Sequence, residues 1–203
     1  DHAAIFRFGF TGDTGTLLFD NVDDRGGLTI DADAGVVTGY SDVLSGLSTG
    51  GTRLFVYATF DRPVIASGKP SDADDREPVT GYVRFDTADA KTVTMRIATS
   101  LISVEQARRN LELEIGPDES LESVRDRAKE LWEEKLSVLE VEGASHDQLV
   151  TLYSNLYRLF LYPNSGFENT GTADAPVYRY ASPVSPKVGD DTPTRTGARI
   201  VDG

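Results

Sequence analysis

Thirty-three carboxylates and two histidines are the side chains of this 203-residue sequence that could move protons or hold a metal ion. Cysteine is absent, which removes disulfides, thiolate metal ligands and a thiol nucleophile together. The histidines, His2 and His146, fall in no His-Glu-x-x-His pattern or similar metal spacing. His146 directly follows a candidate helix cap, where an exposed histidine without a chemical role is expected, and the same is expected of His2 beside a strand. No Gly-x-Ser-x-Gly elbow offers an activated serine. The stretches "DNVDDRGG" (20–27) and "DADAG" (31–35) crowd oxygens together. Neither keeps the Asp-x-Asp-x-Asp-Gly order and closing glutamate of an EF-hand loop. Both read as turns, which use Asp and Gly in any case. Gly26-Gly27 and Gly50-Gly51 are not followed by helices, so no phosphate cradle is expected.

Two carboxylates at a suitable separation can hydrolyse a glycosidic bond, one as acid and one as base or nucleophile. With 33 acids such a pair is always available, so composition cannot select it. Trp132, the single tryptophan, lies at core spacing on a helical stripe, which favours packing over sugar stacking. Against 20 lysines and arginines the acids leave a formal net charge of −13, so the chain has no basic field for nucleic acid or anionic lipid. No apolar run reaches the roughly 20 residues of a membrane span. The opening "DHAAIFRFGF" alternates like a strand, not like a signal peptide, and both chain ends read as internal positions of a longer protein.

The elements that must position any site come in two classes. Residues 4–10, 16–19, 28–31, 36–40, 53–60, 79–85 and 92–99 are rich in Val, Ile, Thr, Tyr and Phe and are separated by Gly, Asp and Pro, which predicts short strands of an antiparallel sandwich. The turn at Asp33, Ala34 and Gly35 joins two of them, and residues 69–78 form an acidic, proline-bounded loop. From Ser103 the period changes to helical. Ser103 with Gln106, and Ser145 with Gln148, have the spacing of capping boxes. Ser120 caps a helix between them, with Leu121, Val124, Ala128, Leu131, Trp132 and Leu136 on one stripe. Leu149, Leu152, Tyr153, Leu156, Leu159 and Phe160 line the last helix, which Pro163 ends. Strands followed by helices predict an α+β fold. Residues 164–203 read as loop with a weak strand hint at 177–180.

The stretch "LEVEGASHDQLVTLYSNLYRLFLYPNSGFEN" (139–169), the Ala128, Trp132 and Leu136 stripe, and the strands "DHAAIFRFGF" and "GTLLFDNVD" together resemble glycoside hydrolase family 92, the calcium-dependent exo-acting α-mannosidases. The resemblance implies a β-sandwich over residues 1–102 lacking its beginning, a helical linker over 103–142, and the start of an (α/α)6 catalytic barrel over 143–203. It further implies an exported, secreted or cell-surface, bacterial-type enzyme. Such an enzyme removes terminal α-linked mannose from mannan or glycoprotein glycans with inversion, assisted by Ca²⁺. The family's glutamate acid, aspartate base and Trp-Asp-Thr stretch lie later in the barrel. None falls on a position of this chain, so no catalytic group and no calcium ligand carries over, and the chain alone is expected to be inactive. The implied partners are a mannose-containing glycan and the remaining barrel, which would cover Leu156, Leu159 and Phe160. Asn164, Glu168 and Asn169, just past the first barrel helix, can bond sugar hydroxyls and are the substrate-proximal candidates. The alternative from the residues alone is a non-catalytic carbohydrate-binding or interaction sandwich.

Overall fold

The computed structural model describes residues 2–21, 25–42, 53–69, 79–161, 166–183 and 199–202. Of the expected loop at 69–78, only Lys69 lies among them. The contacts divide the chain into two compact units, residues 1–117 with 167–203, and residues 118–166. This grouping places the first helix and residues 167–203 with the strands, unlike the sequence-based division into 1–102, 103–142 and 143–203.

In the first unit, β1 (Ala3–Gly9), β8 (Thr92–Ser100), β5 (Leu54–Phe60), β4 (Val36–Ser41) and β3 (Gly26–Asp31) form a five-stranded antiparallel sheet in that order. β2 (Thr14–Phe19), β7 (Gly81–Asp86) and the short β6 (Ala66–Gly68) form a second sheet. Register explains the core. Ile30, Val37, Ala58, Ile97 and Ala4 stand opposite one another across all five strands, so one apolar row crosses the large sheet. Val83 and Phe85 alternate inward from β7 and are fully buried in the same cluster as Leu28, Val37, Ala58, Val93 and Met95. The rings of Phe60 and Phe85, one from each sheet, lie 4.9 Å apart. The two sheets therefore pack face to face as the expected sandwich, whose alternation puts one face of each strand inside.

The β3–β4 hairpin shows what the "DADAG" acids do. Asp31 Oδ1 accepts the Ala34 N–H at 2.9 Å, and Gly35 takes φ +64°, which a glycine adopts without Cβ strain. Asp31 thus closes a turn.

α1 (Val104–Glu114) packs against β8, β5 and β1. Ser103 caps it by accepting the Gln106 N–H. The reciprocal half of the expected capping box does not form, because the Gln106 side chain turns inward to Asn110 and to the Asn169 carbonyl. A third small antiparallel sheet, β9 (Glu168–Asn169), β10 (Tyr178–Ser182) and β11 (Arg199–Asp202), completes this unit where the sequence reads mostly as loop.

The second unit pairs α2 (Leu121–Leu136) with α3 (His146–Phe160). Ser120 caps α2, and α3 carries the full Ser145/Gln148 capping box. Gly143, at φ +74°, lies in the connection. Trp132 packs against Tyr157 with ring centroids 4.6 Å apart and the ring planes tilted by 54°. The apolar stripes find little else. No residue of either helix is buried, and Leu159 is 71% exposed, with Leu131, Val150, Tyr157 and Phe160 also open. No helix of the described residues is long and apolar enough to cross a membrane.

Candidate functional site

Of the three substrate-proximal candidates, Asn164 lies outside the described residues. Glu168 and Asn169 form β9, and neither stands on an open loop. Glu168 is 2% exposed. Its Oε1 accepts the Leu101 N–H at 2.8 Å, just past the end of β8, and its Oε2 accepts Asn110 Nδ2 at 2.8 Å from α1. With each oxygen engaged by an N–H donor and the side chain buried, this carboxyl is turned toward the protein and away from any substrate in solvent.

Asn169 is a turn builder. Its Oδ1 accepts the N–H groups of Gly171 and Val177 at 2.9 and 3.0 Å, and its Nδ2 donates to the Thr172 carbonyl at 3.0 Å. Thr170 donates to the Val177 carbonyl through both N–H and Oγ1. Arg109 of α1 donates to the carbonyls of Thr170 and Gly171, each at 2.8 Å. A Cβ on Gly171 would stand 2.8 Å from the Val177 nitrogen, so the turn closes only around glycine. Thr172, Asp174 and Tyr178 are displayed to solvent by this turn.

The arrangement becomes intelligible from α1. Gln106, Asn110 and Glu114 follow at four-residue spacing, which puts them in one row along the helix. Gln106 donates to the Asn169 carbonyl and to Asn110 Oδ1. Asn110 Nδ2 donates to the Thr99 carbonyl at 2.9 Å as well as to Glu168. Glu114 accepts the backbone N–H groups of His2 and Ala3, and its Oε1 lies 2.6 Å from His2 Nδ1. One polar row therefore fastens β9, β8 and β1 to the same helix. Gln106 and Asn110 are buried, so their hydrogen bonds are satisfied within the protein.

Electrostatics at the Glu114 end follow from this geometry. Burial pushes the Glu114 carboxyl up, but the hydrogen bond from the His2 ring and further donors outweigh it and hold the carboxyl at about 2. The hydrogen bond to Glu114 raises His2 above its usual 6.5, against the lowering effect of burial. His2 is thus a half-buried partner of Glu114, where the sequence suggested an exposed bystander. His146 is exposed at the first position of α3, as expected. Sequence reasoning passed over Asn110 and Glu114. The available signal was their four-residue spacing from Gln106 on a helix with few apolar residues.

A cavity of about 190 Å³ opens between the sheets, walled chiefly by Phe19, Leu28, Val37, Val56 and Ile97. Asp20 at its rim accepts the Thr80 hydroxyl at 2.6 Å. Its walls suit apolar packing, not proton transfer.

Strands come first and helices after, with a polar row fastening α1 to the strands, and the comparisons find the same order in known proteins. The N-terminal domain of glycosyl hydrolase family 92 matches residues 1–100, and the catalytic domain of the same family matches residues 106–192. The chain belongs to glycosyl hydrolase family 92. A family 92 inverting mannosidase from Bacteroides thetaiotaomicron aligns over 100% of this chain and 26% of its own, at 26% identity and a TM-score of 0.82. A family 92 α-mannosidase of the same organism aligns over 83% of this chain and 26% of its own, at 20% identity and a TM-score of 0.66. Another family 92 glycosyl hydrolase aligns over 87% of this chain and 27% of its own, at 23% identity and a TM-score of 0.64. The last two show the shared fold. The chain spans about a quarter of the length of these solved relatives. No curated protein matches the sequence.

The calcium ion implied by the family resemblance would need several oxygen ligands brought together. Among the described residues no group of three His, Cys, Asp or Glu side chains converges, and Asp31 is committed to its turn.

Proposed function

We propose that this chain is the front part of an exported glycosyl hydrolase that removes terminal α-linked mannose from mannan or glycoprotein glycans with inversion. The observation that carries the reading is the match over the whole chain, at a TM-score of 0.82 and 26% identity, to an inverting mannosidase. Inversion requires an acid and a base carboxyl roughly 6.5 to 9.5 Å apart, with a water between them. Glu168, sealed by its two donors, fits neither role, and the reacting pair belongs to residues beyond this chain. Residues 1–117 and 167–203 supply the sandwich and the seam that fastens the first catalytic-domain segments to it. Calcium dependence is part of the same proposal, with ligands outside the described residues.

The test is turnover of α-mannobiose and mannan by the polypeptide that carries this chain, followed by proton NMR. β-Mannose is expected as the first product, and activity is expected to fall with chelator and return with Ca²⁺. Release of α-mannose first would remove inversion. Absence of mannose release from either substrate would remove the function. The 203-residue chain alone should release none, and mannose release by that chain, free of contaminating enzyme, would overturn the placement of the carboxylates.

A further inference from the structure

We draw no further inference here: the strongest candidate, the cavity that Phe19, Leu28, Val37, Val56 and Ile97 wall between the two sheets, carries none because nothing in the structure shows what occupies it.

Discussion

Replacing Asn110 by alanine tests whether the polar row on α1 holds the first unit together. The side chain makes three hydrogen bonds, donating to Thr99 O at 2.9 Å and Glu168 Oε2 at 2.8 Å and accepting from Gln106 Nε2 at 2.8 Å. Gln106 keeps its second acceptor, the Asn169 carbonyl. The Thr99 carbonyl and the Glu168 oxygen lose the Asn110 donor inside the protein, and each buried group left without a partner costs about 1 to 3 kcal/mol. Water entering the space left by the amide offsets part of this, so the expected loss is about 3 kcal/mol. That is a large part of the roughly 5 to 15 kcal/mol by which a domain is stable. Urea unfolding followed by far-UV circular dichroism reads the first unit through its strands. Trp132 fluorescence is the wrong probe, because that ring sits in the α2–α3 unit. Glu130→Ala, on the exposed face of α2, should stay within about 0.5 kcal/mol and serves as the control. A loss below about 1 kcal/mol for Asn110→Ala, with unchanged denaturant sensitivity, would refute the seam as a stabilising element.

The His2–Glu114 contact should leave a two-sided pH signature. Glu114, depressed to about 2, contributes stability that is complete above the usual carboxylate value of 4.5 and fades as pH falls through about 2. His2, raised above 6.5, contributes stability that is complete below 6.5 and fades as pH rises through its folded value. The stability difference between wild type and His2→Ala should therefore be greatest between 4.5 and 6.5 and shrink on both sides; a difference that does not vary with pH would contradict it. Gly39→Ala would place a Cβ 2.7 Å from the Gly27 carbonyl oxygen on the neighbouring strand, backbone that cannot swing away. It should cost about 1 to 3 kcal/mol in thermal or urea unfolding, whereas Gly9→Ala, with open space around its Cβ, should be tolerated. Ser145→Ala removes the oxygen that accepts the Gln148 N–H and should cost α3 about 1 kcal/mol, read as loss of helical dichroism at moderate urea. No loss there would mean that packing, not the cap, sets the start of the helix.

Alternation made most of the sandwich legible. Val83 and Phe85 against Tyr82 and Arg84 announce a half-buried strand, and β7 follows that pattern. β6 escaped because three residues, Ala66 to Gly68, carry no period. β10 showed only as the weak hint at 177–180, and the two-residue β9 escaped because its place is set by distant partners, Glu168 by Leu101 and Asn110, which no local pattern encodes. The helices were legible from Ser103, Ser120 and Ser145. Gln106 was misread as half of a capping box because spacing cannot tell whether an amide returns to its own helix start or reaches a carbonyl 63 residues away. The same limit governed the candidate site. Glu168 and Asn169 were singled out by resemblance as substrate-proximal, but the burial of Glu168 and the part Asn169 takes in its turn exist only in three dimensions.

The seam on α1 has a consequence for descent. The family's two domains meet between residues 100 and 106, yet the helix that opens the second is fastened by Asn110 and Glu114 to the last and first strands of the first. A recombination event cutting at that boundary would separate the Thr99 carbonyl from its Asn110 donor and the His2 N–H from its Glu114 acceptor. Sheet and helix are therefore fit to be inherited together, and substitutions along Gln106, Asn110, Glu114 and Glu168 should arise in compensating sets as lineages diverge.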